Sequence, residues 1–96
     1  MVGEYLGWFP WGGDYKDEVK GGSDNWGYST AGFPQPPFAV DTLYDRDYPG
    51  HYWPVYELIY RLNNNANMVN HMGHASVDYC MKMYNADAES VWAIVR

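Results

Sequence analysis

Cysteine is nearly missing from this chain: Cys80 is the single one in 96 residues, which excludes an internal disulfide framework and leaves the redox compartment open. Positive charge is also scarce. Six Lys and Arg stand against twelve Asp and Glu, a formal net charge of -6, and a surface of that sign repels a phosphate backbone, so nucleic acid is not expected as a partner. No apolar run approaches the roughly 18 residues of a membrane span. The N-terminus lacks a basic segment followed by an apolar one, so no signal peptide is legible. Met1-Val2-Gly3-Glu4 reads instead as the middle of a strand, and the chain as a slice of one longer domain covering 1–96.

What is abundant is aromatic and apolar. Apolar residues make up 47% of the chain and aromatics 19%, with ten Tyr and five Trp, a content that argues for burial and against disorder. Met1 to Tyr5 reads as a buried strand that delivers Glu4 at its C-terminal end. From Leu6 to Pro37 the Gly-, Pro- and Trp-rich sequence predicts a long ordered loop with at most one helical turn near Asp14 to Val19. Phe38 to Tyr44 reads as a strand, and Asp45 to Gly50 as a turn. Pro54 suits a first helical position, after which Val55, Leu58, Ile59 and Leu62 mark one apolar face. Ala66 to Val69 then predicts a second buried strand, and about Asp87 to Arg96 a helix with Val91, Trp92 and Val95 on one face. Strand, helix, strand implies a parallel pair, and in parallel sheets ligand sites lie beyond the carboxyl ends of the strands.

The chemistry concentrates in Val69-Asn70-His71-Met72-Gly73-His74-Ala75-Ser76. His74 follows an apolar strand, Gly73 lets the chain turn, and small neighbours leave space, a setting suited to pairing with a thiol. Glu4 is the candidate carboxylate to fix its tautomer. His71 is three residues from His74, but a zincin needs His-Glu-x-x-His on a helix, so His71 is read as orienting the loop through hydrogen bonds. His51, beside Tyr52 and Trp53, is read as a surface or interface residue. Cys80, six residues after His74 and flanked by Met81 and Met83, reads as a small buried thiol and not as the nucleophile. Carboxylates cluster at Asp14, Asp17, Glu18 and Asp24 and at Asp41, Asp45 and Asp47. They read first as a solvated surface and second as a calcium-binding loop, although no spacing matches an EF-hand.

Taken in order, Val2-Gly3-Glu4, the acidic segment Trp11 to Glu18, Leu43-Tyr44-Asp45 and Asn70 to Ser76 resemble the gingipain-type cysteine peptidases. That resemblance implies an α/β fold with a caspase-like sheet of mainly parallel strands and flanking helices, of which this chain is a partial domain. It implies that His74 is the catalytic histidine, Glu4 its carboxylate partner, and Ala75, where many members have glycine, a donor to the oxyanion hole. The family's nucleophilic cysteine lies on a strand a few tens of residues beyond the histidine, so it is expected downstream of Arg96. The resemblance further implies a protein or peptide substrate, no cofactor required for catalysis, and a secreted or cell-surface bacterial protein; the carboxylate clusters leave room for a structural calcium. Two rival readings are a carbohydrate- or peptide-binding module with Trp8, Trp11, Trp26, Tyr28 and Trp53 as stacking platforms, and a pseudo-enzyme of the same fold.

Overall fold

Val2 and Leu43 are apolar and almost fully buried, and each begins a two-residue strand. In the computed structural model, which describes residues 1–64 and 66–91, strands β1 (Val2–Gly3), β2 (Leu43–Tyr44) and β3 (His71–Met72) form a parallel sheet in the order β2-β1-β3. Val2 lies in register with both Leu43 and His71, and Gly3 with both Tyr44 and Met72. The parallel arrangement agrees with the sequence reading, but the partners differ: β2 and β3 do not touch, and each pairs with β1 between them.

Two helices follow the strands. Helix α1 (Gly12–Gly21) is ten residues long, where the sequence reading allowed a single turn. Its glycine-rich start obscured it. Those glycines are required by closeness, not by flexibility: a Cβ on Gly3 would overlap the Gly13 main chain, and one on Gly13 would stand 2.6 Å from Tyr44 Cγ. Without side chains there, the helix start lies directly on the sheet. Lys16, buried, adds a tie by donating from Nζ to Asn70 Oδ1 at 2.6 Å, and burial lowers its pKa.

Helix α2 (Val55–Asn63) carries the apolar face read from the sequence, with Pro54 as the residue before its first turn. Leu58 is 1% exposed and packs with Val2, Leu43 and Trp53, while Leu62 and Val69 flank that cluster. Strand side chains alternate between faces. Val2 and Leu43 therefore look toward α2, and Gly3 and Tyr44 toward α1, so the sheet lies between the two helices.

Several predicted spans are shorter or displaced. Of Phe38 to Tyr44, Leu43–Tyr44 alone is strand. The ladder starts only where β1 offers a partner, with Leu43 N–H donating to Met1 O at 3.0 Å. Ala66 to Val69 lies outside the ladder, and the strand begins at His71. After it come two tight hairpins that the sequence reading missed: β4 (Ala75–Ser76), β5 (Tyr79–Cys80) and β6 (Met83–Tyr84), antiparallel and in that order. Their strands of two residues are too short to show alternation. A short helix α3 (Asn85–Ala88) follows. Val91 is buried, but Trp92 and Val95 of the predicted C-terminal helix lie outside the described residues.

Asp45 anchors the whole. One carboxylate oxygen accepts from Trp53 N–H at 2.7 Å and from Lys82 Nζ, and the other from Tyr5 N–H at 2.8 Å. Asp45 and Lys82 are 2% and 5% exposed. Lys82 also donates to Trp53 O at 2.9 Å and lies over the Tyr52 and Trp53 rings. A buried ion pair persists only when its remaining hydrogen-bonding capacity is met, and here the partners are three backbone groups from two segments, at Tyr5 and Trp53.

Candidate functional site

The carboxyl ends of β1 and β3 bring Glu4, Tyr5, His71 and His74 together. Glu4, 2% exposed, accepts a hydrogen bond at Oε2 from His71 Nε2 at 2.5 Å. Its main-chain N–H donates to Met72 O at 2.9 Å, and its C=O accepts from Gly12 N–H at 2.8 Å. The carboxylate partner expected for His74 therefore belongs to His71. Strand parity explains the exchange: Val2 and Glu4 share a face of β1, and His71 stands in register with Val2, so Glu4 and His71 share a face. His71 does hold the loop by hydrogen bonding, as its sequence setting suggested.

His74 lies beyond the ladder and is exposed. Its Nε2 is 2.8 Å from Tyr5 O. A carbonyl only accepts, so Nε2 carries a proton, and in the neutral imidazole Nδ1 is the nitrogen with the lone pair. The tautomer-fixing role assigned to a carboxylate is filled by a backbone oxygen. Tyr5 is itself held from the other side of its residue, by the Asp45 carboxylate on its N–H. Asp45 is thus a site-building residue, whereas the sequence reading places it in a turn and among clustered carboxylates. The available signal was its position directly after the buried Leu43-Tyr44 strand.

Ala75 begins β4. Only Val77 and Asp78 connect Ser76 to Tyr79, so Ser76 and Tyr79 form the hydrogen-bonded pair of the hairpin, and Ala75, one step out, directs its N–H away from β5. That N–H is therefore free of the β4–β5 ladder. Cys80 stands across from Ala75 and is exposed, which corrects the reading of a buried thiol: the hairpin turns it to solvent, while Met81 and Met83 pack toward the core cluster.

Tyr79 and Lys82 lie near enough to Glu4 to feel its charge. Burial, with Tyr52 and Glu4 nearby, pushes the Tyr79 phenol up to about 12. Burial lowers the Lys82 pKa, against the opposing pull of Asp45 and Glu4. The exposed His51 meets Trp11 edge-on at 4.8 Å, and Trp11 meets Tyr5 at 5.5 Å, so all three histidines border the exit of β1.

The front carboxylates have cationic and hydrogen-bonding partners. Asp14, Asp17 and Asp47 share Arg46. Glu18 accepts from Ser23, Asn25 and Trp26 Nε1, fastening the loop after α1 to the helix. Beside it lies a cleft of about 300 Å³ lined by Phe9, Trp11, Tyr15 and Trp26. Of the aromatic platforms read from the sequence, Trp8, Trp26 and Tyr28 are exposed, whereas Trp53 is 0% exposed and donates from Nε1 to Gly3 O. Trp53 is a core residue and cannot stack on a ligand.

Comparison with protein-family models, curated proteins and solved structures returned no match.

Proposed function

We propose that this chain supplies the general base of a gingipain-like cysteine endopeptidase with a caspase-like sheet. The observation that carries the reading is the His74 Nε2 contact to Tyr5 O at 2.8 Å, which makes Nδ1 the lone-pair nitrogen of the neutral ring, on an exposed side chain at the carboxyl end of a parallel sheet. A nitrogen so prepared accepts the proton of a thiol and later returns it to the leaving amine. Ala75, with its N–H outside the hairpin ladder, is the adjacent donor for the oxyanion of the tetrahedral intermediate. Cys80 faces Ala75 and is not assigned as nucleophile; that thiol is proposed on a strand downstream of Arg96. The substrate class is protein or peptide, and the setting secreted or cell-surface.

The test is cleavage of denatured protein by the intact protein under reducing conditions. His74→Ala is expected to lower kcat by about 10²- to 10⁴-fold, with Cys80→Ala near wild type. Thiol-dependent cleavage that disappears in Cys80→Ala would sink the assignment of the nucleophile. Absence of thiol-dependent cleavage in the intact protein would favour a pseudo-enzyme of the same fold.

A second reading is supported by Trp26, whose indole edge is fixed by Glu18 at 2.8 Å while the residue remains 63% exposed. Such a ring is a prepared stacking platform for a carbohydrate or peptide. Binding lost in Trp8→Ala and Trp26→Ala, and retained in His74→Ala, would favour this reading over the peptidase.

A further inference from the structure

We infer that Glu4 and His71 form a positioning pair that sets the place of His74 through Gly73, an inference that rests on the role proposed for His74. Glu4 grips the end of β3 twice, by its N–H on Met72 O and by its carboxylate on His71. Gly73 lies against that second bond. A Cβ on Gly73 would overlap Oε2 and Cδ of Glu4 and stand 2.5 Å from His71 Nε2. The backbone at Gly73 is not left-handed, so glycine is required there by space and not by conformation. Any side chain forces the carboxylate off the imidazole or lifts the chain off both.

The peptide that leads into His74 is therefore seated on a carboxylate–imidazole hydrogen bond in a buried setting. Displacing it moves the His74 ring relative to Tyr5 O, the contact that fixes its tautomer. Glu4 thus acts on His74 indirectly, through His71 and the Gly73 main chain. Neither Glu4 nor His71 touches a reacting atom in this arrangement, and both are positioning residues. With a carboxylate as acceptor, Nε2 is the protonated nitrogen of His71, so the pair has a spectroscopic signature of its own.

Two-bond proton–nitrogen NMR of the imidazoles in the intact chain tests the inference, because it reports which ring nitrogen carries the proton. In wild type, His71 and His74 are each expected as a single Nε2–H tautomer. Gly73→Ala is expected to convert His74 to the mixed tautomers of a free imidazole while near-UV circular dichroism remains native. Glu4→Gln, nearly isosteric, is expected to do the same in part and serves as the test if Gly73→Ala does not fold. His74→Ala is expected to leave the His71 signal unchanged. A His74 that keeps its single tautomer in folded Gly73→Ala or Glu4→Gln would overturn the inference, and so would a His71 lacking the Nε2 proton. In protein competent for cleavage, both variants are expected to lower kcat by about 100-fold with KM little changed. If cleavage is absent altogether while the tautomer of His74 responds as described, the positioning pair stands and the peptidase reading falls.

Discussion

A buried ion pair divides its importance unequally between its members, and Asp45 and Lys82 make the division measurable. Asp45 accepts from Trp53 N–H, Tyr5 N–H and Lys82. If Lys82 is removed, Asp45 still has two backbone donors. If Asp45 loses its charge, Lys82 keeps its ammonium at 2% side-chain exposure with only Trp53 O and two ring faces for company. Asp45→Asn is therefore expected to cost about 3–5 kcal/mol and Lys82→Met clearly less, measured by urea denaturation. Equal costs would show that the backbone bonds of Asp45 contribute little. Lys82 has a further constraint: it and Met81 both adopt positive φ, 61° and 52°, in the two-residue turn between β5 and β6. Such turns ordinarily use Asn-Gly. Here the anchored ammonium holds non-glycine residues in that conformation, which is why turn chemistry did not reveal the hairpin.

Among the elements, α2 was the most legible, because a period of 3.6 over nine residues leaves little ambiguity. Its buried member, Leu58, meets Val2, Leu43 and Trp53. Leu58→Ala is expected to cost about 2–5 kcal/mol, whereas Ile59→Val, on the partly exposed flank, should cost about 0.5–1.5 kcal/mol at most; thermal melts of the two variants decide it. Helix α1 was hidden for the opposite reason. Its start, Gly12-Gly13, has low helix propensity, and the close approach of the sheet, Met72 O at Gly12 and the Tyr44 ring at Gly13, explains why glycine stands there. The two-residue strands carry no periodicity to read, so β1 was recognised from its apolar run and β4 to β6 were not recognised at all. Parity within β1 and β3 was nevertheless available from the sequence. Combined with the register, that parity joins Glu4 to His71.

Acid response is a property of the molecule as a whole. Burial works against the ionised form of Asp17, but its hydrogen bond to Arg46 among others holds its pKa below the ordinary value. Hydrogen bonds from Asn25 and Trp26 lower that of Glu18. A carboxyl group with a depressed folded pKa contributes stability that is complete above its unfolded pKa and lost as pH falls through the folded one. Stability is thus expected to be level from neutral pH down to about 4.5 and to decline below it. The double variant Asp17→Asn, Glu18→Gln should show a shallower decline below about pH 4.5 in denaturant melts. An unchanged slope would mean that these two groups are not the acid-sensitive ones. On the same scale, no helix among the described residues is long and apolar enough to cross a membrane.

By itself the sequence determined the class of the fold, a parallel sheet with helices, because burial patterns are written into residue type and period. It also put Glu4 and His74 at strand ends that the parallel topology brings to one edge of the sheet. Which histidine meets Glu4, which oxygen fixes His74, that Cys80 faces solvent and that Trp53 does not, were decided only by the tertiary structure. Those outcomes depend on register, and one residue of register reverses the face of every side chain on a strand.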